Sequence, residues 1–288
     1  MRVLMVLLLI FVVSACATPV SSKSADIKLL GTAAERGDKN AFETLLLEAK
    51  RGVPEAQFQM GLYDFGHQVS EDANAPGGHG NQPNPVQLHD MEEAAEWWHK
   101  AAEQGNPSAQ FNLGYFYGFT PYAHDKLSKT EAHVEAVKWL RKAAEQGDRD
   151  AGYRLWYIYF MDTVNESAAH RINPHAISGE EGMKWLRRAA EQGHGESEFW
   201  LSSYSASDKR QSGQPDYEEA YFWLKLCARN EPKLCKDQDL QKMREKIIQH
   251  LSEKRIAAAE KRAAEWKPAP FLPMENKAPD FPPLETQN

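Results

Sequence analysis

The sequence predicts an all-α protein in which one helical unit recurs along the chain. Two observations lead to this fold class. A short pattern with a central Trp and a terminal Gly returns several times, and a second pattern with an aromatic residue follows the glycines. The first pattern is rich in Ala, Lys, Glu, Gln and Arg, which favour helices. Both patterns place apolar residues at helical spacing, as amphipathic helices do.

The first pattern ends in Ala-Ala-Glu-Gln-Gly. Copies span Ala94–Gly105, Ala136–Gly147 and Gly182–Gly193, and a weaker copy spans Ala220–Ala228. Because Gly adopts the left-handed conformation at low cost, each terminal Gly is predicted to end a helix and reverse the chain. The predicted structural core residues are the marker tryptophans, which are 42, 46 and 38 residues apart: Trp97, Trp139, Trp185 and Trp223. This spacing suits a two-helix repeat with loops of varying length.

The second pattern predicts the other helix of each unit. It reads Ala-Gln-Phe in two copies, Ala-Gly-Tyr in a third and Ser-Glu-Phe in a fourth. Its aromatic position allows two interpretations: the ring packs within the core, or it lines a groove, where aromatic anchors carry much of a partner's binding energy. Two tyrosines lie four residues further along the same helical face. The candidate partner-binding residues are therefore Phe58, Phe111, Tyr115, Tyr153, Tyr157 and Phe199.

The two patterns together resemble the Sel1-like repeat, a relative of the tetratricopeptide repeat. The resemblance covers residues 53–230, about four repeats, and is most specific at the Ala-Ala-Glu-Gln-Gly ends. It implies a right-handed α/α solenoid of helix-turn-helix repeats whose first helices line a groove. The sequence departs from the family pattern where Trp156 and Ser202 replace the expected Gly, so irregular helix packing is expected there.

The N-terminus has the features of a lipoprotein signal peptide. Arg2 precedes an apolar run, Val3–Val13, which is too short for a bilayer span of about 20 residues. The following Val-Ser-Ala-Cys sequence resembles the lipobox of bacterial lipoproteins, with Cys16 as the predicted lipidation site. In such lipoproteins Asp after the Cys favours inner-membrane retention. Ala17 therefore favours a lipid-anchored location at the periplasmic face of the outer membrane.

These features divide the sequence into six segments. The chain ends are expected to cap the open ends of the repeat stack, as solenoids require. The six segments are a signal peptide (1–15), a lipidated linker (16–25), a degenerate N-terminal helical cap (26–52), the repeats (53–230), a long C-terminal capping helix (231–266) and a Pro-rich disordered tail (267–288).

Few residues in the sequence suggest disulfide, catalytic or metal-binding chemistry. Cys227 and Cys235 are expected to form a disulfide in the oxidising periplasm, or to remain two buried thiols. Motifs of serine acyl-enzymes, nucleotide binders and zinc proteases are missing, so we predict no enzyme and no cofactor. Loop histidines could gather at one edge, but no pair has a recognised ligand spacing and we predict no metal site: His67, His79, His89, His124, His170 and His175.

The resemblance implies a scaffold or adaptor that binds another protein, with the membrane contacted through the lipid anchor. A net charge of −7 and the lack of a basic face argue against a nucleic-acid partner. Two alternatives remain open from the same resemblance. One is an immunity protein that neutralises a secreted toxin such as a phospholipase. The other is a cell-wall or β-lactam-binding protein of the cysteine-rich Sel1-like type.

Overall fold

The computed structural model describes residues 20–71, 85–120, 127–164, 177–207, 214–234 and 238–271. The signal peptide, Cys16, Cys235 and most of the Pro-rich tail lie outside the described residues. Within those ranges all regular secondary structure is helical. The helices are α1 (Val20–Glu35), α2 (Lys39–Lys50), α3 (Pro54–Glu71), α4 (Pro85–Glu103), α5 (Pro107–Phe119), α6 (Lys129–Glu145), α7 (Arg149–Val164), α8 (Gly179–Glu191), α9 (Gly195–Ser205), α10 (Tyr217–Asn230), α11 (Gln238–Ile248) and α12 (Glu253–Glu265).

The helices form two compact units, residues 1–106 and 107–288. In the first unit α1 packs against α2 and α3, and α3 packs against α4. In the second unit the pairs α5–α6, α7–α8 and α9–α10 follow one another, with α6 against α7 and α8 against α9. Neighbours in sequence are therefore neighbours in space within each unit, which is the arrangement of a helical repeat protein.

Glycine turns join consecutive pairs, as the sequence pattern predicts. Gly105, Gly147 and Gly193 have φ values of 89°, 102° and 79°, and Gly37 and Gly52 have φ of 90° and 88°. At the first of these turns the Gly105 amide donates to Ala102 and the next amide donates to Ala101, at 3.0 and 3.1 Å. This hydrogen-bond pattern satisfies the last carbonyls of a helix and needs a left-handed residue, for which Gly has no steric penalty.

Side-chain caps fix where the second helices of the repeats begin. The side chains of Ser128, Ser178 and Asp216 accept hydrogen bonds from backbone amides three residues ahead, at 3.3, 3.2 and 3.0 Å. Each bond satisfies an amide that has no partner within the helix. The caps therefore start α8 and α10 at equivalent positions, seven residues before Trp185 and Trp223, whereas α6 begins about one helical turn earlier, eleven residues before Trp139.

The tryptophans of the second helices occupy similar positions in three repeats. Trp139, Trp185 and Trp223 are buried, and the indole Nε1 of each donates to a Glu four residues earlier, at 3.0, 3.2 and 2.8 Å. The first copy differs, because Trp97 is only half-buried while the adjacent Trp98 is completely buried. Trp97 still packs against the core of the first unit, but Trp98 replaces it as the fully buried tryptophan.

Trp98 can be completely buried because a glycine of α3, Gly61, lies against its indole. A Cβ added to Gly61 would collide with the Trp98 indole. In the second unit Gly114 lets α6 approach α5 closely, since a Cβ added to Gly114 would lie 2.9 Å from the backbone nitrogen of Leu140. At the third copy Trp156 occupies this glycine position and is buried; at the fourth, Ser202 donates to the Ala220 carbonyl at 2.7 Å.

The C-terminal segment differs from the single helix that the sequence predicts. It forms α11 and α12, which are separated by a turn around His250 and both pack against α10. A single helix over residues 231–266 would be about 54 Å long, about two and a half times the length of α10. The turn lets Ile247 of α11 and Ala259 of α12 both bury against one cluster with Leu224.

Candidate partner-binding surface

The six predicted partner-binding residues divide into buried and accessible groups. Phe58, Phe111 and Tyr153 are at most 7% exposed, so their rings belong to the core, which is the first of the two interpretations allowed by the sequence. Tyr115 and Tyr157 are half-buried. Phe199 is also half-buried, but it packs against the cluster formed by α10, α11 and α12.

Tyr115 and Tyr157 come together through a phenylalanine that the sequence analysis did not select. The ring of Phe119, one helical turn after Tyr115, lies 5.0 Å from Tyr115 and 6.0 Å from Tyr157 between centroids. All three rings are half-buried, and their inner faces pack on the cores below. Residues of α5 and α7 therefore form one accessible aromatic area.

Arg154 lies against two rings of this area, Tyr115 and Phe119. Its guanidinium carbon is 5.0 Å from the ring centroid of Tyr115, 5.3 Å from Phe119 and 5.6 Å from Tyr153. A guanidinium over aromatic faces is held by cation–π attraction, and its N–H groups still point outward in the plane. Arg154 can therefore offer a fixed positive charge and several donors to a carboxylate or a peptide carbonyl.

A second group of rings continues the aromatic area from α7 to α9. Trp156 stacks on Phe160 at 5.1 Å with an interplanar angle of 22°, and both contact Trp200, at 5.1 and 4.9 Å. Tyr153 links this group to Tyr157, with its centroid 6.2 Å from Tyr157 and 5.8 Å from Trp156. We call the half-buried members Tyr115, Phe119, Tyr157, Phe160 and Trp200, together with Arg154, the aromatic surface.

The cationic group of the aromatic surface is the guanidinium of Arg154 and not a histidine. The His194 ring packs against Tyr153, with the ring centroids 4.8 Å apart and the planes tilted by 33°. Its burial, together with the positive charges of Arg149 and Arg154, lowers the pKa of His194 to about 3. Its imidazole Nδ1 accepts a hydrogen bond from the Ser197 backbone amide at 3.2 Å and caps α9.

Sequence reasoning missed four members of the surface. Phe119, Arg154, Phe160 and Trp200 are not at the recurring aromatic position of the second pattern. Helical spacing gives a signal for two of them, because Phe119 follows Tyr115 by four residues and Phe160 follows Trp156 by four. Trp200 and Arg154 are positioned by contacts between neighbouring repeats, which no single helix reveals.

The other predicted sites add no second functional centre to the described structure. Cys227 is buried on α10, and its predicted disulfide partner Cys235 lies outside the described residues. The described ranges contain no group of three or more His, Cys, Asp or Glu side chains arranged to hold a metal ion. Within these same ranges, none of the helices has both the length and the apolar character needed to cross a bilayer.

Comparisons with known proteins identify the repeat. The Sel1 repeat family model matches residues 54–75, 84–106, 107–148, 178–194 and 196–231. A comparison with curated proteins finds no match.

Two solved structures are similar to this chain. A Sel1 repeat protein from Oxalobacter formigenes has 22% identity and a TM-score of 0.52, over 86% of this chain and 90% of that one. The protective antigen c5321 of uropathogenic Escherichia coli, described as displaying an SLR fold, has 21% identity and a TM-score of 0.43. The match covers 78% of this chain and 48% of the antigen, so this chain spans about half of the antigen's length. The predicted all-α fold of Sel1-like helix-turn-helix repeats is confirmed, and the chain belongs to the Sel1 repeat family.

Proposed function

We propose that this protein is a lipid-anchored scaffold of the periplasm that binds another protein through the aromatic surface. Proteins with Sel1 repeats generally act as non-catalytic scaffolds for protein–protein interaction. The observation that carries the proposal is the set of half-buried rings from α5, α7 and α9, which are linked through the buried Tyr153 and Trp156. Arg154 lies against two of these half-buried rings, Tyr115 and Phe119. Half-buried aromatic and Arg side chains are the groups that most often dominate binding energy in interfaces.

The rigidity of these rings supports a binding role. Each accessible ring has its inner face packed on a core cluster, so little side-chain entropy remains to be lost when a partner covers the outer face. The partner best suited to the surface has apolar or aromatic side chains around an acidic residue or a carbonyl that can meet Arg154. Arg154 would then fix the orientation of the partner.

The proposal predicts that binding depends on two tyrosines. Replacing both Tyr115 and Tyr157 by Ala should weaken the partner's affinity by about 30-fold or more, since each interfacial hot spot contributes at least about 1–2 kcal/mol. The partner is captured from envelope extracts on the soluble chain that begins after Cys16 and is then purified. Its dissociation constant is measured for wild type and for the double variant.

A matched control uses Val134 of α6, whose exposed side chain lies in the same unit but outside the aromatic surface. Val134→Ala should bind the partner as wild type does, and circular dichroism should show that both variants stay folded. Equal affinity of the double variant and wild type would remove the aromatic surface from the proposal. Capture of a secreted toxin would favour the inhibitor alternative, whereas a covalent adduct with a fluorescent penicillin would favour the β-lactam-binding one.

The lipid anchor is tested separately. Cys16→Ser removes the thiol that would carry the lipid, so labelling of cells with a radioactive fatty acid should mark the wild-type chain and leave the variant unmarked. The variant should also leave the membrane fraction, because stable anchoring depends on the acyl chains. An equal label on both chains would exclude Cys16 as the lipidation site without touching the proposal for the aromatic surface.

A further inference from the structure

A glutamine pair recurs at the turns of the repeats. The Gln104 side-chain amide donates to Gln57 Oε1 at 2.7 Å, and Gln146 donates to Gln110 Oε1 at the same distance. In each pair the Gln of the Ala-Ala-Glu-Gln-Gly sequence meets a buried Gln from the first helix of its repeat. The pair ties the end of the second helix to the beginning of the first.

The third repeat breaks this rule. Gly152 stands where Gln57 and Gln110 stand in the earlier repeats, so the amide of Gln192 has no glutamine to meet. Its Nε2 donates instead to the carbonyl of Gly147 at 3.3 Å and to the carbonyl of Pro270 at 3.1 Å. At the third repeat the amide of the turn glutamine therefore meets the C-terminal segment instead of a second glutamine.

The C-terminal segment makes further contacts at this turn. The backbone amide of Ala269 donates to the carbonyl of Glu191 at 2.7 Å. The ring of Phe271 lies 4.4 Å from the guanidinium carbon of Arg149, and the Arg149 Nη1 in turn donates to the carbonyls of Gln192 and Gly193, each at 3.2 Å. One backbone–backbone hydrogen bond, one hydrogen bond from the Gln192 side chain and one cation–π contact thus hold residues 269–271.

The conformation of this segment differs from the disordered tail that the sequence predicts from residue 267 onward. Trp266 leaves α12 with φ −69° and ψ 138°, which is the polyproline II region. Pro268 and Pro270 flank Ala269, and proline fixes φ near the same value. An extended Pro-Ala-Pro segment is therefore preorganised, and the one backbone N–H among its three residues is the donor to Glu191.

We propose that the turn between α8 and α9 is a binding site for extended, proline-containing peptide segments, with residues 268–271 as its internal ligand. The Glu191 carbonyl accepts a hydrogen bond from the Ala269 N–H, the Gln192 side-chain amide donates to the Pro270 carbonyl, and the Arg149 guanidinium lies over an aromatic ring. The ligand class follows from this geometry: a Pro-x-Pro-aromatic sequence in the polyproline II conformation. This site is separate from the aromatic surface and does not depend on its role.

The internal ligand, residues 268–271, can leave the site and be replaced by another peptide. Residues 267–271 are all exposed, so the segment is held by the few contacts named above rather than by burial. Segments with few buried contacts open locally at low cost. An external peptide with the same sequence pattern then competes with the internal segment for the site. The more strongly the internal segment binds, the smaller is the fraction of molecules whose site is open to the external peptide.

The test uses the full chain and a labelled, end-blocked peptide with the sequence of residues 265–271. Ala269→Pro in the chain removes the N–H that donates to Glu191 while keeping a φ suited to the extended segment. The loss of one hydrogen bond should free the site and strengthen peptide binding about fivefold, measured by fluorescence anisotropy. A peptide with the same Ala-to-Pro change should bind the variant chain about fivefold more weakly than the unaltered peptide.

Gly152 provides a matched pair of variants. In the Ala269→Pro background, Gly152→Gln supplies the missing partner for Gln192 and should weaken peptide binding at least fivefold. Gly152→Ala adds only a Cβ, whose nearest neighbour would be 3.4 Å away, and should bind the peptide as the background does. In the otherwise wild-type chain, Gly152→Gln should also speed hydrogen exchange at the Ala269 amide.

The outcomes separate the proposal from its alternatives. Peptide binding that distinguishes Gly152→Gln from Gly152→Ala supports a site built around the Gln192 amide. Equal binding by the two Gly152 variants, or no measurable binding to the Ala269→Pro chain, would overturn it. A change in Ala269 exchange without any peptide binding would also overturn it, because the turn would then hold only its own covalently attached segment.

Discussion

Replacing Trp98 by Ala is expected to lower the free energy of unfolding by about 3–5 kcal/mol, the usual cost of deleting a fully buried aromatic ring. Trp98 is 0% exposed, packs against Phe65 at 5.8 Å and fills the space left by Gly61. Deleting its indole leaves a cavity that the glycine backbone opposite cannot fill. The same change at Trp97, which is only half-buried, should cost about 1–2 kcal/mol.

Urea unfolding of the two variants side by side measures this difference. Trp98→Phe is the control, because it keeps most of the apolar volume and removes an indole N–H that has no hydrogen-bond partner among the described residues. Leaving a buried donor unsatisfied is itself costly, so Trp98→Phe should lose far less stability than Trp98→Ala. A larger loss for Trp97→Ala than for Trp98→Ala would contradict the burial seen in the structure.

The contrast between these two residues shows where sequence reasoning stops. The repeating pattern aligns Trp97 with Trp139, Trp185 and Trp223, and those three are buried. Adjacent helical residues differ in direction by about 100°, so both Trp97 and Trp98 border the apolar face. Which one becomes fully buried depends on Gly61 of another helix, and periodicity within one helix carries no such information.

The candidate partner-binding residues also show what sequence reasoning can and cannot predict. The recurring aromatic position was recognised from the pattern, but whether a ring points into the core or toward a groove depends on the neighbouring repeat. Phe58 and Phe111 are buried, whereas Tyr115 and Tyr157, whose positions vary between repeats, are half-buried. A position whose residue type varies between repeats has fewer packing constraints. The variable position was therefore a better guide to accessible side chains than the recurring aromatic position.

The C-terminal segment was the least predictable part of the fold. Its composition favours a helix throughout, and a short turn around His250 is invisible in helix propensity. The extended segment after Trp266 accepts a hydrogen bond from the Gln192 side chain. Gln192 has no glutamine partner in its own repeat because Gly152, more than 100 positions before this segment, occupies that place. Only the three-dimensional arrangement of turn and tail connects these positions.

The second large effect concerns Glu198, whose charge opposes folding at neutral pH. Its side chain is 0% exposed, and its Oε1 accepts a hydrogen bond from Asn230 at 2.7 Å. Burial raises the pKa of Glu198 from its ordinary value of 4.5 to about 7, against the opposing effect of the Asn230 hydrogen bond and of Arg229 and Arg149. The folded chain therefore keeps a proton that the unfolded chain releases between these two pH values.

The sign of the pH dependence follows from this difference. Below pH 4.5 both states hold the proton and folding carries no penalty from Glu198. As pH rises to about 7, the unfolded state ionises first and gains stability relative to the folded state, so the unfolding free energy falls. At 1.36 kcal/mol per pKa unit, the loss is about 3 kcal/mol above pH 7.

Glu198→Gln should abolish this loss, because a neutral amide can still accept the hydrogen bond from Asn230. Urea unfolding at pH 4 and pH 8 gives the unfolding free energies of wild type and variant, and their difference should grow by about 3 kcal/mol in the variant's favour over this range. His194, whose lowered pKa makes stability fall toward acid, contributes equally to both proteins and cancels in the difference.

Glu180→Gln is the control for this experiment, since Glu180 is exposed on α8 and its substitution should leave the pH trend of wild type unchanged. If wild type and Glu198→Gln kept a constant difference in unfolding free energy from pH 4 to pH 8, the pKa of Glu198 would be the same in the folded and unfolded chains. Its partners would then have to be charged groups that compensate its burial. A growing difference would instead show that α9 and α10 pack around a protonated carboxyl group, so that mild acid strengthens the C-terminal half of the repeat array.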